Sequence, residues 1–118
     1  MLRLVLVLFW LPGLVLAQTV EIAQGMLQGA QNDAVYSFKG IPYAAAPLAD
    51  LRWAAPQAAS SWQGVRVATK FGPDCMQLPY SRLSPYYRPL NGPAEDCLFL
   101  NVWSTSLQTD RNAPVMVW

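Results

Sequence analysis

The sequence contains no histidine, and this absence limits the chemistry that the chain can carry out. Without an imidazole, neither a serine–histidine nor a cysteine–histidine pair can form. No serine lies between the glycines of a Gly-x-Ser-x-Gly nucleophile elbow, and none precedes a lysine by three residues. We therefore predict no catalytic residue within the chain. The serines that fail both tests are Ser37, Ser60, Ser61, Ser81, Ser84, Ser104 and Ser106.

Metal and phosphate ligands are also scarce. Zinc sites in proteins are built from clustered histidines and cysteines. This chain has two cysteines, Cys75 and Cys97, which are separated by many residues and accompanied only by scattered carboxylates. No glycine-rich phosphate loop occurs. The sequence therefore predicts neither a metal site nor a cofactor.

Charged residues make up only 13% of the chain, and the formal net charge is +1. Apart from Arg3, which lies in an amino-terminal apolar segment, seven basic residues balance seven acidic ones. Nucleic-acid binding depends on an excess of clustered basic side chains. We therefore predict no nucleic-acid partner.

The amino-terminal segment has the pattern of a secretory signal peptide. Arg3 is followed by residues 4–16 without a charge, Pro12 interrupts this run, and small residues precede a predicted cleavage site after Ala17. A membrane anchor is the alternative, but an uninterrupted span needs about 20 apolar residues. We predict a signal peptide at residues 1–17, a secreted or periplasmic mature chain at 18–118, and no membrane span after cleavage.

Strand periodicity begins directly after this segment. Val20 and Ile22 alternate with polar or small residues. Tyr36 and Phe38 fall on one face of a strand, and their polar neighbours fall on the other. Turn-forming residues at 31–33 separate the later strands. The sequence predicts a short antiparallel meander.

Proline is expected to end this meander and to prevent a helix after it. Pro42 cannot donate a hydrogen bond to a strand ladder and holds the preceding residue extended. Residues 44–59 are rich in alanine, but Pro47 and Pro56 interrupt every candidate helix. We predict coil there.

Residues 95–103 join an acidic pair, a cysteine and a strand-like run. Aliphatic side chains recur at every second position, while aromatic side chains occupy the other face. We predict a core strand over residues 98–103 that is covered on both faces. The aliphatic face comprises Leu98, Leu100 and Val102, and the aromatic face comprises Phe99 and Trp103.

The order Glu-Asp-Cys-Leu-Phe-Leu-Asn-Val-Trp at 95–103 resembles the second signature of the type-B carboxylesterases, the cholinesterase-like branch of the α/β hydrolases. An earlier block, Phe-Lys-Gly-Ile-Pro-Tyr-Ala at 38–44 followed by Leu-Arg-Trp at 51–53, is similar to the opening block of that family. Further similar segments are residues 62–65 and 68–73. The chain departs from the family pattern at Ala46, Ala49 and Val67.

The resemblance implies an α/β-hydrolase fold, of which this chain supplies the amino-terminal antiparallel strands, long loops and the start of the central sheet. It implies a serine hydrolase of small-molecule carboxylic esters, which the predicted signal peptide would make an exported one. The nucleophile, acid, histidine and oxyanion-hole turn are then expected beyond Trp118. One alternative is a non-catalytic, neuroligin-like adhesion protein of the same framework. Another is a small secreted β domain that binds a partner and is stapled by one disulfide.

Two pairings follow from the same resemblance. Arg52 and Glu95 are expected to form a partly buried ion pair. If the pair is desolvated, removing one partner should cost about 3 to 5 kcal/mol, against about 0 to 1 kcal/mol for a surface pair. Cys75 and Cys97 are expected to form a disulfide, in agreement with their even number in an exported chain. Closing a loop of about 22 residues would stabilise the fold by roughly 3 kcal/mol.

Residues 76–96, the cysteine loop, are rich in proline and carry three tyrosines. We predict a surface loop pinned at its ends. In cholinesterase relatives the matching loop borders the active-site gorge, so the tyrosines are candidates for the rim of a substrate entrance. The alternative is that they pack the loop onto its own domain. These residues are Tyr80, Tyr86 and Tyr87.

The carboxyl-terminal part combines a polar segment with a short apolar run. Residues 104–112 show no apolar period, so we predict a loop. Residues 115–118 are entirely apolar and predict a strand buried on both faces, which needs neighbours on each side.

Overall fold

The computed structural model describes residues 18–108 and 112–118. The predicted signal peptide lies outside the described residues, as does part of the loop predicted over 104–112. Within the described ranges the chain forms five strands and one turn of 3₁₀ helix. The strands are β1 (Gln18–Ile22), β2 (Gly25–Asn32), β3 (Val35–Pro42), β4 (Val65–Val67) and β5 (Phe99–Ser104), and the 3₁₀ turn is Ala49–Leu51.

The first three strands form the predicted antiparallel meander. β1 pairs with the first part of β2, from Gln18 opposite Gly29 to Ile22 opposite Gly25. The last three residues of β2 pair with the beginning of β3. Between them lies a tight turn in which Asp33 adopts a positive φ of 51°, a conformation that aspartate tolerates better than most residues. The turn is therefore shorter than predicted, because Gln31 and Asn32 belong to β2.

The short strand β4 was not predicted from the sequence. It runs parallel to β2 on the side opposite β1, with Met26 opposite Val65. The next residue, Ala68, links two strands: its N–H donates to the Gln28 carbonyl at 2.7 Å, and its carbonyl accepts from the Lys39 N–H at 2.8 Å. These backbone bonds hold Ala68 between β2 and β3. All three β4 side chains are exposed, so the sequence shows no alternation of apolar and polar residues there.

A small apolar core lies under β2 and β3. Leu27 and Ala68 are each 1% exposed, and Phe38 and Ile41 pack with them. Gly29 allows this packing, since a Cβ at that position would lie 2.6 Å from the Phe38 ring. Partly buried residues around the cluster are Val20, Ile22, Tyr36, Trp62 and Leu107.

The predicted strand after Cys97 is present as β5, shifted by one residue, and it pairs antiparallel with β3. Its expected cover on both faces is not found within the described part of the chain, where Leu100, Val102 and Trp103 are 39–46% exposed. Among the described strands, β5 has only β3 as a neighbour. The meander ends at Pro42 as predicted, since β3 ends there, and Pro42 itself lies opposite Phe99.

The β3–β5 ladder contains a bulge between Phe38 and Ile41. Gly40 lies in this bulge with φ 68°, and its N–H donates to Oδ1 of Asn101 in β5 at 3.0 Å. A bulge removes a residue from the regular ladder, so its backbone donor needs another acceptor. The Asn101 side chain supplies that acceptor.

Two other expectations differ from the structure. The coil predicted over 44–59 contains the 3₁₀ turn at Ala49–Leu51, since a single turn fits between Pro47 and Pro56. The strand predicted at 115–118 is absent: these residues belong to no strand, and their side chains are 81–92% exposed. No neighbouring strand reaches them among the described residues.

The bulge gives a matched pair of glycine substitutions. In Gly40→Ala the new Cβ would lie 2.7 Å from the Lys70 carbonyl oxygen, whereas Gly64, with a similar φ of 72°, has no atom within 4 Å of an added Cβ. We expect Gly64→Ala to cost about 1 to 2 kcal/mol for the left-handed backbone alone, and Gly40→Ala about 1 to 3 kcal/mol more for overpacking. Urea unfolding of the full-length protein measures both, and equal losses would contradict the argument.

The exposed apolar surface leads to a second prediction. Five hydrophobic side chains are buried among the described residues, while those of residues 115–118 and of β5 contact solvent. Burial of apolar area is the main favourable term in folding. We expect isolated residues 18–118, produced in an oxidising compartment, to aggregate or to melt without cooperativity. Light scattering and thermal melting test this, and a cooperative melt of a monomer would refute it.

Candidate functional site

The structure joins Cys75 to Cys97, the pair predicted from the sequence, by a disulfide with a Cα–Cα distance of 5.0 Å. This bond closes the neck of the cysteine loop. β5 begins two residues after Cys97, so the pairing of β5 in the sheet fixes the position of Cys97 at one end of the neck. The Phe99 ring packs on Gly72, where a Cβ would lie 2.5 Å from the ring, and this close contact places the other end.

Next to the disulfide, Asp74 and Asn91 join the two sides of the neck through their backbones and side chains. The Asp74 N–H donates to the Asn91 carbonyl at 3.1 Å, and the Asn91 N–H donates to Oδ2 of Asp74 at 2.6 Å. The side-chain amide of Asn91 also donates, through Nδ2, to the Gly72 carbonyl at 2.8 Å. Asn91 therefore fastens the end of the loop to the segment that precedes Cys75.

Arg88 completes this arrangement from within the loop. Its two Nη atoms donate to the two carboxylate oxygens of Asp74, each at 2.9 Å. Bidentate pairs of this kind are among the stronger hydrogen-bonded contacts in proteins. Arg88 is 61% exposed and Asp74 only 16% exposed. We refer to Asp74, Arg88 and Asn91 together as the clasp.

The clasp shifts the ionisation of its charged members. The hydrogen bond from Arg88 lowers the pKa of Asp74 below its ordinary value of 3.8, and the Asn91 N–H lowers it further. The same hydrogen bond with Asp74 raises the pKa of Arg88. Both groups are therefore held in their charged forms at neutral pH.

Sequence reasoning missed the clasp. Its partners lie 14 and 17 residues apart, and neither separation corresponds to a helix or strand period. The signal that was available is weak: Asp74 directly precedes a cysteine, and Asn91 stands before a glycine, a dipeptide typical of turns. Nothing in the sequence shows that these two residues meet.

Arg52 and Glu95, which the sequence analysis paired, form an ion pair. The pair is more exposed than expected, with 56% of the Arg52 side chain and 42% of the Glu95 side chain in contact with solvent. Water screens charges at such positions, so the pair is expected to contribute to stability as much as a surface ion pair does, about 0 to 1 kcal/mol. Arg52 follows the 3₁₀ turn, and Trp53 beside it has a positive φ of 60°.

Two open depressions flank the disulfide. The larger, of about 660 Å³, lies beside the Arg52–Glu95 pair. The smaller, of about 550 Å³, lies over the clasp. Apart from the disulfide itself, the larger is lined by Pro47, Arg52, Trp53, Met76, Ala94 and Glu95.

The three tyrosines of the cysteine loop line neither depression. They are exposed at the loop surface, with Tyr80 and Tyr86 64% and 74% exposed and their ring centroids 6.1 Å apart. Tyr87 lies under the guanidinium of Arg82, whose Cζ is 5.9 Å from the ring centroid. The loop tip otherwise makes local turns through Ser81 and Ser84.

These residues do not form a reaction centre. No cluster of three or more histidine, cysteine or carboxylate side chains within the described ranges has the arrangement of a metal site. Both cysteines are used in the disulfide, which leaves no thiol nucleophile. In the same part of the chain, no helix is both long and apolar enough to cross a membrane. The arrangement can hold and present a loop, and a catalytic set would have to come from elsewhere.

The sequence and the structure resemble those of known esterases. The profile of the Carboxylesterase family matches residues 16–118. The fumonisin B1 esterase of Sphingopyxis macrogoltabida is 42% identical over 94 residues, which cover 80% of this chain and 17% of that protein. The para-nitrobenzyl esterase of Bacillus subtilis is 39% identical over 101 residues, which cover 86% of this chain and 20% of that protein.

Solved structures agree with these matches. A crystal structure of a Geobacillus stearothermophilus carboxylesterase superposes with a TM-score of 0.62 at 41% identity, over 76% of this chain and 17% of that one. A para-nitrobenzyl esterase structure superposes with a TM-score of 0.67 at 39% identity, over 75% of this chain and 18% of that one. The chain spans about a fifth of the length of the curated relatives that it matches.

The lowered pKa of Asp74 gives a prediction of acid sensitivity. A carboxyl group whose folded-state pKa is depressed stabilises the fold above its unfolded pKa, and this contribution is lost as pH falls through the folded value. We therefore expect the Asn91 and Ala94 amides to lose hydrogen-exchange protection below the ordinary value of 3.8. Protection factors, which correct for intrinsic exchange rates, are the quantity to measure in the full-length protein.

The Asp74→Asn variant is the control for this titration, since it keeps the shape of the side chain without the ionisable group. It should show weak protection of these amides with no step in this pH window. The exposed carboxylate of Asp50 provides a second control, and Asp50→Asn should behave like the parent protein. Constant protection in the parent through the acid range would contradict the assignment.

Proposed function

The chain belongs to the carboxylesterase family, and from this premise we propose that it is the amino-terminal part of an exported serine hydrolase of carboxylic esters. The observation that carries the proposal is the family match over residues 16–118. The α/β-hydrolase carboxylesterases among the solved structures support it. The relatives are about five times longer than this chain, so the proposed catalytic residues lie beyond Trp118.

The reaction proposed for the whole protein is acyl transfer through a serine acyl-enzyme. It requires a nucleophile, a base and positioned amide donors together. This chain has no histidine and no nucleophile elbow. Its described residues instead contribute the edge of the sheet and a loop fastened at its neck.

Export is part of the proposal. The pattern of residues 1–17 supports a cleaved signal peptide. The disulfide supports it independently, because structural disulfides persist in oxidising compartments and are rare in the cytosol. A secreted or periplasmic location accounts for both features.

We further propose that the tyrosines of the cysteine loop contribute to the rim of the substrate entrance. The exposure of Tyr80 and Tyr86, 64% and 74%, supports this role. Arg82 over Tyr87 adds a cation at the same surface. Two relatives are named as esterases of fumonisin B1 and para-nitrobenzyl compounds, and their names support no more than a small-molecule ester as substrate.

The test compares the full-length protein with isolated residues 18–118, using a short-chain aryl ester and a serine-directed organophosphate. We expect the full-length protein to hydrolyse the ester and to lose activity as the inhibitor labels one serine beyond residue 118. The isolated segment should show no turnover above buffer, because it lacks the base and the nucleophile.

A folded full-length protein without turnover or labelling would refute the hydrolase and favour a non-catalytic adhesion protein of the same framework. Inhibitor-sensitive turnover by residues 18–118 would refute the proposed location of the catalytic set. The alternative of a separate small β domain is opposed by the family match along almost the whole chain.

A further inference from the structure

The clasp closes the same loop as the disulfide, at an adjacent position. Asp74 directly precedes Cys75, and its carbonyl accepts from the Ala94 N–H at 2.9 Å, three residues before Cys97. An isolated parallel β-bridge between the backbones of Cys75 and Ala94 continues the contact next to the disulfide. Two different kinds of bond therefore hold one neck.

Asp74 uses all of its polar groups in this closure. Its N–H bonds to Asn91 and its carbonyl to Ala94. Its carboxylate oxygens accept two bonds from Arg88 and one from the Asn91 N–H. In the depression over the clasp, Arg88 is the only charged residue besides Asp74 among the lining residues of the described chain. No other charge there can replace the carboxylate as the partner of Arg88.

We propose that Asp74 closes the neck of the loop without the disulfide and so holds Cys75 and Cys97 in position to form it. The disulfide then secures a geometry that the clasp has already selected. Two thiols held close together have a high effective concentration for each other, and loss of the constraint lowers it.

The chemical step is oxidation of the cysteine pair by a small-molecule disulfide such as glutathione disulfide. One cysteine thiolate attacks the oxidant, which releases one thiol and forms a mixed disulfide. The second cysteine thiolate then attacks this mixed disulfide at the protein sulfur. The Cys75–Cys97 bond forms as the second oxidant thiol leaves. Two protein thiols are oxidised, and one oxidant disulfide is reduced to two thiols.

The experiment measures the equilibrium between the full-length protein and glutathione redox buffers. Alkylation of free thiols followed by peptide mass spectrometry gives the fraction of Cys75–Cys97 disulfide. We expect Asp74→Asn to lower the equilibrium constant for disulfide formation at least about tenfold, since charge-assisted hydrogen bonds to Arg88 and the Asn91 amide are lost. Asp50→Asn, which removes an exposed carboxylate outside the loop, should stay within about twofold of the parent.

Amide exchange distinguishes the clasp from the disulfide. In a Cys75→Ala/Cys97→Ala variant, the Asn91 and Ala94 amides should keep their protection. In oxidised Asp74→Asn, the same amides should lose protection while the core amides of Leu27 and Phe38 remain protected. The second variant keeps its disulfide, so it can be measured even if the double cysteine variant does not fold. Loss of neck protection there would show that the disulfide alone does not close the neck.

Two results would overturn the proposal. One is an Asp74→Asn protein that matches Asp50→Asn both in its disulfide equilibrium and in the protection of the neck amides. The other is loss of neck protection on removal of the cysteines together with full protection in oxidised Asp74→Asn. Either result would mean that the disulfide closes the neck and that the hydrogen bonds of Asp74 form only as a consequence of that closure.

Discussion

The ladder between β3 and β5 is the constraint on which the rest of the described structure depends. β3 carries the buried Phe38 and Ile41, so the strand that forms the core also sets the position of β5. The ladder must pass a bulge at Gly40, and Asn101 supplies the acceptor that the bulge requires. Because β5 begins two residues after Cys97, the ladder also determines where the cysteine loop leaves the sheet.

From that point outward, the bonds differ in how strongly they constrain the chain. The clasp combines a bidentate ion pair, side-chain amide bonds and backbone bonds around Asp74, which is only 16% exposed. In the Arg52–Glu95 pair the arginine is about as exposed as Arg88, but the carboxylate is 42% exposed. Screening by water weakens such a pair, whereas bonds that share one partly buried carboxylate reinforce each other. The clasp is accordingly the stronger local determinant of loop position.

What the sequence predicts follows from the range of each interaction. The alternation at Val20 and Ile22, and at Tyr36 and Phe38, is local, and it led to the correct meander. β4 lacks such a signal because backbone bonds to a distant strand hold it. The family resemblance supplied the disulfide and the Arg52–Glu95 pair, since a family pattern records contacts between distant residues. It did not reveal the clasp, whose members lie outside the quoted motifs, or the exposure of β5 and of residues 115–118.

The way the loop is attached separates its two tasks. The neck is held by side chains at 74, 88 and 91 and by the disulfide. The described contacts of the tip are local turns at Ser81 and Ser84, a ring contact between Tyr80 and Tyr86, and Arg82 over Tyr87. Substitutions at the tip therefore leave the bonds of the neck in place. Exposed loop residues tolerate change better than the residues that anchor them. A protein built in this way can alter the surface that its loop presents while its sheet and the path of its chain stay the same.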